Sequence, residues 1–127
     1  MGYTVMVVDD SDTIRSVLVR TLGLTKLPFS EILTASNGVE ALEKMKEHWV
    51  DLVFSDLHMP EMGGIELIRR MRELPSYNEI PVVIVSTEGS TTRIDNLKEM
   101  GVKGYIRKPF TPEGIRNMIL SILGTWE

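Results

Sequence analysis

The chain of 127 residues contains no cysteine, which excludes both a disulfide framework and a thiolate metal site. It also lacks any long apolar run. The longest, such as Val82-Val83-Ile84-Val85, are far too short to span a bilayer. The opening residues, MGYTVM, have neither the charged nor the apolar region of a signal peptide, and Met6 stands where a myristoylation signal needs Ser or Thr. Clustered basic charge is scarce. With a net charge of −4, a nucleic-acid or anionic-membrane surface is not expected. The one basic cluster, Arg69-Arg70 with Arg72, reads as a solvated helix face. No repeat, linker or low-complexity stretch breaks the chain, and no output domain is expected after its last helix. The expectation is a soluble, cytoplasmic protein whose residues 1–127 form a single domain.

What is present is alternation. At 43% hydrophobic, the chain can bury a core. Tyr3 to Val8, Glu31 to Ala35, Asp51 to Phe54, Pro81 to Val85 and Gly104 to Ile106 read as strands. Their nearly unbroken Val/Ile-rich character suits strands covered on both faces. Between them run amphipathic helices. Ile14, Val17, Leu18, Thr21 and Leu22 mark the first apolar face; Val39, Leu42, Met45 and Trp49 mark the second. Asn37 and Glu40 start that second helix in a capping-box arrangement. Ile65, Ile68 and Met71 mark the third, and Ile94 and Leu97 a weaker fourth. Ile115, Met118, Ile119 and Ile122 mark the last, with Thr111 at its cap and Pro112 in its first turn. Five such βα units imply an α/β fold, a doubly wound parallel sheet with helices on both faces.

Ligands of open α/β sheets bind beyond the C-terminal ends of the strands. Asp9 and Asp10 leave the first strand, Asp56 the third, Ser86 and Thr87 the fourth, and Lys108-Pro109 the fifth. The second strand offers nothing comparable. If the first and third strands are neighbours, three carboxylates converge. A pair of such charges about 4 Å apart repels by roughly 4 kcal/mol at a partly buried site. A cation or a shared proton must then relieve them. All-oxygen ligands favour a hard cation, and Mg²⁺ suits best because it binds through a few carboxylates, water and phosphate oxygen. A phosphoryl group becomes the natural guest, with Lys108 and Ser86 as donors to its oxygens. Asp56 is then the carboxylate placed to attack phosphorus and form an acyl phosphate.

The segments VVDDSDTIR, VFSDLHMPEMGGIEL, PVVIVSTEG and GYIRKPF resemble the four signature stretches of bacterial response-regulator receiver domains, most nearly those of stand-alone CheY-like chemotaxis regulators. The resemblance covers essentially the whole chain. It implies a five-stranded flavodoxin-like sheet of order 2-1-3-4-5, an order the spacing itself does not supply. It implies that Asp56 is the phosphoacceptor, and that Asp9, Asp10, Asp56 and the backbone carbonyl of His58 hold Mg²⁺. Ser86 would be the switch hydroxyl, Tyr105 the aromatic that responds to it, and Lys108 the phosphoryl-contacting lysine, with a cis bond to Pro109. The expected phosphodonor is a CheA-like histidine kinase. The expected target docks around Ile94, Tyr105 and Arg107, for example a flagellar motor switch, with a phosphatase as a further partner; the domain is expected to be a monomer. His58, Thr87 and Glu88 are expected to tune phosphate lifetime, Thr87 by restricting water. Gly63 departs from the pattern, standing where an Asp is usual.

Each of these residues also has a structural reading. Asp56 fits a plain turn, and Asp9 or Asp10, like Ser11, fits a helix cap. Ser86 and Thr87 fit local bonds to backbone, and Tyr105 fits simple packing. Trp49 and Trp126 read as packing and tail residues. Three other functions compete. A scaffold that never takes phosphate would not need the complete acidic and lysine set. An Mg²⁺-dependent aspartyl phosphatase of the dehalogenase type needs a second Asp two positions on, where His58 stands. A flavodoxin-type nucleotide binder needs a Gly/Ser/Thr-rich first loop, and DDSD is its opposite. A signalling switch rather than an enzyme is the reading that uses every residue.

Overall fold

The structure is a computed structural model that describes residues 2–88 and 90–124. Its elements run β1 (Tyr3–Val8), α1 (Asp12–Leu24), β2 (Phe29–Ala35), α2 (Gly38–Met45), β3 (Leu52–Ser55), α3 (Gly64–Glu73), β4 (Val82–Ser86), α4 (Thr91–Glu99), β5 (Gly104–Arg107) and α5 (Pro112–Leu123). The strands form one parallel sheet of order β2-β1-β3-β4-β5. β1 therefore has β2 on one side and β3 on the other, which is the point where the winding reverses. None of the described helices is long and apolar enough to cross a membrane.

Alternation along each strand divides the core in two. Val5, Val7, Leu52, Phe54, Val83 and Val85 pack with Leu18 and Leu22 of α1 and Ile115 and Ile119 of α5. Met6, Val8, Val53, Val82 and Ile84 face Ala41 and Met45 of α2, Leu67, Ile68 and Met71 of α3, and Leu97 of α4. Each fully buried side chain of this size contributes about 1.5–3 kcal/mol. The three central strands are buried along their whole lengths except at Thr4. That makes them rigid posts for whatever stands at their ends.

The helix starts follow the sequence. Ser11, Asn37, Ser90 and Thr111 each accept a hydrogen bond from the backbone N–H three residues on. The expected capping box is half formed: Asn37 caps the Glu40 N–H, but the Glu40 carboxylate accepts from the Ser36 hydroxyl at 2.8 Å instead of from the Asn37 N–H. Gly63 at the start of α3 gives no side-chain cap. A Cβ at that position would sit 2.7 Å from the Leu57 carbonyl oxygen, so the loop trades a cap for a close backbone approach.

Three expectations need correction. Trp49 does not lie on the α2 face: that helix stops at Met45, and the indole is 72% exposed, its N–H donating to Asp51 Oδ1. Arg72 is not part of a solvated face. Its guanidinium donates to the carbonyls of Asn78, Ile80 and Gly101, stapling the end of α3 to the turn before β5. β2 starts at Phe29, two residues before the apolar pattern suggests. The preceding segment, for which no function is evident, turns at Lys26 in the left-handed region and is held to α5 by Arg116, which donates to Thr25 O. Trp126 lies outside the described residues.

Gly64 opens α3 directly against the loop after β3, its N–H donating to Leu57 O at 2.9 Å. A Cβ there would lie 2.3 Å from the Asp56 carbonyl oxygen. Gly64→Ala is expected to cost about 1–3 kcal/mol of stability, as overpacking does, read by urea denaturation. The same urea midpoint as wild type would show that the helix start can shift freely.

Candidate functional site

Register brings the strand ends together. Val8 pairs with Ser55 across β1 and β3, so Asp9 and Asp56 emerge side by side. The Asp56 N–H donates to Val8 O at 2.9 Å, and its Oδ1 accepts from the Leu57 N–H at 2.8 Å. Asp9 is buried, and its Oδ1 accepts from the Ser11 N–H at 2.9 Å. Ser11, not an aspartate, caps α1. Asp10 is therefore not needed for the helix; it is exposed and makes no hydrogen bond among the described residues. One carboxylate oxygen from each of Asp9, Asp10 and Asp56 lies within 4.8 Å of the others. Ser86 pairs with Arg107 across β4 and β5, which carries Lys108 to the same end of the sheet. Its Nζ stands 3.0 Å from Asp9 Oδ2 and 3.5 Å from Asp56 Oδ2. The Lys108–Pro109 bond is cis.

Charge is out of balance at this point. Burial pushes the Asp56 carboxyl above its ordinary range; the Leu57 N–H and the Lys108 ammonium pull it back, and the Asp9 charge adds to the rise. One lysine faces three carboxylates. Oxygen-only donors this close together fit a small hard divalent cation of the Mg²⁺ type, and the excess negative charge is what such an ion would neutralise.

A second group of contacts lies beside the first. Ser86 is buried and its hydroxyl accepts the Glu88 N–H at 3.2 Å. The Tyr105 hydroxyl donates to Glu88 O. Glu88 Oε2 accepts from Arg93 Nε at 2.6 Å, and Glu88 Oε1 lies 3.5 Å from His58 Nε2. His58 is otherwise exposed, as is Thr87. Thr87 shares an apolar groove with Ile14, Val17, Lys108, Pro109 and Phe110. Ile94, Lys98, Tyr105 and Arg107 line another shallow groove beyond β5.

Residues the sequence did not single out also shape the site. Arg15 donates to the carbonyl of Asp9 at 2.6 Å and pairs with Asp12. The Asp12–Arg15 spacing is a legible helix pair, but the reach to Asp9 is not. Arg93 sits five residues from Glu88, a separation no periodicity flags.

Residues 5–120 match the response regulator receiver domain model. The chain belongs to that family. This receiver domain is 38% identical over 121 residues to a chemotaxis protein CheY homolog of Campylobacter jejuni subsp. jejuni serotype O:23/36, covering 94% of this chain and 92% of that one. The fold agrees with Vibrio cholerae CheY4 at a TM-score of 0.86 and 32% identity, covering 96% and 99% of the two chains. It agrees likewise with a chain of the CheX–CheY–BeF₃–Mg²⁺ complex of Borrelia burgdorferi, at 0.84 and 26% identity, covering 95% and 89%. Receiver domains of the CheY type are signalling switches of two-component systems. They bind Mg²⁺ at an acidic pocket, and this receiver domain carries such a cluster of aspartates. CheY homologues interact with histidine kinases and other partners.

Because the folded Asp56 carboxyl is raised, the folded state holds its proton more tightly than the unfolded chain. Its ionisation therefore opposes folding: the penalty is absent below the ordinary carboxylate range and present in full above the folded pKa. Asp56→Asn keeps an acceptor for the Leu57 N–H and removes the charge. In metal-free protein at neutral pH it is expected to raise Tm by a few degrees, with the gain vanishing in acid. A lower Tm for the variant at neutral pH would mean that Lys108 already outweighs burial.

Proposed function

We propose that this receiver domain accepts a phosphoryl group on Asp56 from a phosphohistidine of a CheA-like histidine kinase, in an Mg²⁺-dependent reaction, and that the modification changes its affinity for a chemotaxis-type partner protein. The observation that carries the reading is the convergence of Asp9, Asp10 and Asp56 with Lys108 at the C-terminal ends of β1, β3 and β5. A complex of the B. burgdorferi relative with BeF₃ and Mg²⁺ supports it.

Asp9, Asp10 and Asp56, with the His58 carbonyl, are the groups that would hold the metal. Bound there, Mg²⁺ supplies charge neutralisation and orientation for phosphoryl oxygens. The remaining work falls to the chain. Asp56, fixed by the Leu57 N–H through Oδ1, presents its other oxygen to phosphorus. Attack forms the carboxylate–phosphorus bond as the phosphorus–nitrogen bond of the donor breaks, and the departing imidazole keeps the electron pair. Lys108, already 3.5 Å from Asp56, moves from pairing carboxylates to pairing a phosphoryl oxygen. Ser86 accepts from the Glu88 N–H and has its own proton to donate. Once Ser86 turns to the phosphoryl group, the Glu88 backbone and the Tyr105 hydroxyl bound to it must readjust. The groove of Ile94, Lys98, Tyr105 and Arg107 is then the surface whose shape reports phosphorylation. His58, Thr87 and Glu88 flank the approach and would set how fast water removes the phosphate.

Incubation with acetyl phosphate, followed by intact-mass analysis with and without Mg²⁺, tests this. A single phosphoryl adduct is expected that requires Mg²⁺ and is absent from Asp56→Asn. No adduct on wild type would favour a scaffold that never takes phosphate.

A further inference from the structure

Glu88 is the meeting point of four links. Its N–H donates to Ser86 Oγ, its carbonyl accepts from the Tyr105 hydroxyl, and its carboxylate lies between Arg93 Nε and His58 Nε2. The backbone links join the switch hydroxyl to the aromatic ring of β5. The side-chain links decide where that backbone sits, and they are unequal. Arg93 is at 2.6 Å and His58 at 3.5 Å. Arg93 and Glu88 side chains are each only about one-third exposed, at 33% and 32%, whereas the His58 side chain is 70% exposed. The hydrogen bond from Arg93 holds the Glu88 carboxyl below its ordinary range against the opposing effect of burial, with the His58 contact a lesser contributor. Arg93 is also fixed by the fold: its N–H donates to the Ser90 cap and it belongs to the first turn of α4.

We infer that Arg93 is a positioning residue of the switch, latching the Glu88 side chain to the first turn of α4 and so keeping the Glu88 carbonyl where it holds the Tyr105 hydroxyl. α4 is thereby tied to the ring on its neighbouring strand. Only one of its residues, Leu97, is buried, so little packing would otherwise hold the helix start against this loop. The latch also keeps the Glu88 carboxylate paired beside a site that already carries three aspartates. Without Arg93 only the longer His58 contact would hold that charge, which could then swing toward an incoming phosphoryl group and repel it. The consequence for phosphorylation rests on Asp56 being the phosphoacceptor; the latch itself does not.

The test is ¹⁹F NMR of protein labelled with 3-fluorotyrosine, unphosphorylated and free of metal. The three tyrosines, Tyr3, Tyr77 and Tyr105, give three lines, and Tyr105→Phe assigns the one that matters. Arg93→Ala and Glu88→Gln are each expected to displace the Tyr105 line toward a solvent-exposed position. The displacement corresponds to about a two- to five-fold shift in the ring's equilibrium, the effect of losing one partly exposed ion pair. The double variant moves the line no further, and Arg93→Lys restores most of the wild-type position. Tyr3 and Tyr77 report that the fold is intact. A Tyr105 line unmoved by Arg93→Ala, or a double variant whose displacement is the sum of the two, would overturn the latch. Acetyl phosphate treatment of the same samples after addition of Mg²⁺ separates the two claims. A wild type that takes no phosphate counts against the phosphoacceptor reading alone, and an unmoved line counts against Arg93 alone.

Discussion

Repulsion among Asp9, Asp10 and Asp56, with Lys108 set against them, is the constraint around which the rest of this molecule is arranged. Like charges this close do not assemble unaided; something must hold them. Here it is backbone register. β1 and β3 are paired from Val5–Leu52 to Val8–Ser55, and both are buried between two helical layers. The aspartates are simply the next residues out. Sheet packing worth about 1.5–3 kcal/mol per large side chain offsets a local electrostatic cost of the same order, and the cost is kept because it is useful. The excess of negative charge fits a divalent cation, and under the proposed function that cation would in turn favour a phosphoryl group.

The same frame carries the consequences of filling that site outward. Ser86 ends the strand next to β3, and Lys108 follows the edge strand β5. Glu88 lies just beyond Ser86 and shares its backbone with Tyr105 and its side chain with Arg93. Under the proposed function, movement of the Ser86 hydroxyl would be passed to a ring and a sparsely packed helix, which together line a surface groove.

The features legible in the sequence are those set by short-range rules. The apolar runs and their alternation mark the strands, and Thr111-Pro112 and Asn37 mark two helix starts where the structure has them. Asp9, Asp10, Asp56 and Lys108 stand out because each leaves a strand at the same end. What escaped notice depends on distant partners. Trp49 keeps the α2 spacing although the helix has already ended, because Asp51 takes its indole N–H. Arg72 looks like its exposed neighbours until the carbonyls of Asn78, Ile80 and Gly101 arrive from elsewhere in the fold. Arg93 and Glu88 pair at a five-residue separation that no periodicity marks, and the tight contact of Gly64 with Asp56 exists only once α3 is docked. Strand order, too, came from family resemblance rather than from spacing.

The most direct measurement is thermal unfolding of wild type and Asp10→Asn against Mg²⁺ concentration, with ionic strength held constant by a monovalent salt. If the aspartate cluster is a charge imbalance that a divalent cation relieves, Tm of the wild type rises with the logarithm of Mg²⁺ concentration. Binding at a hundredfold excess over Kd would add about 2.7 kcal/mol, and Asp10→Asn would lose most of that gain. A wild-type Tm indifferent to Mg²⁺ would contradict it, leaving Lys108 as the counter-charge paired with the cluster among the described residues.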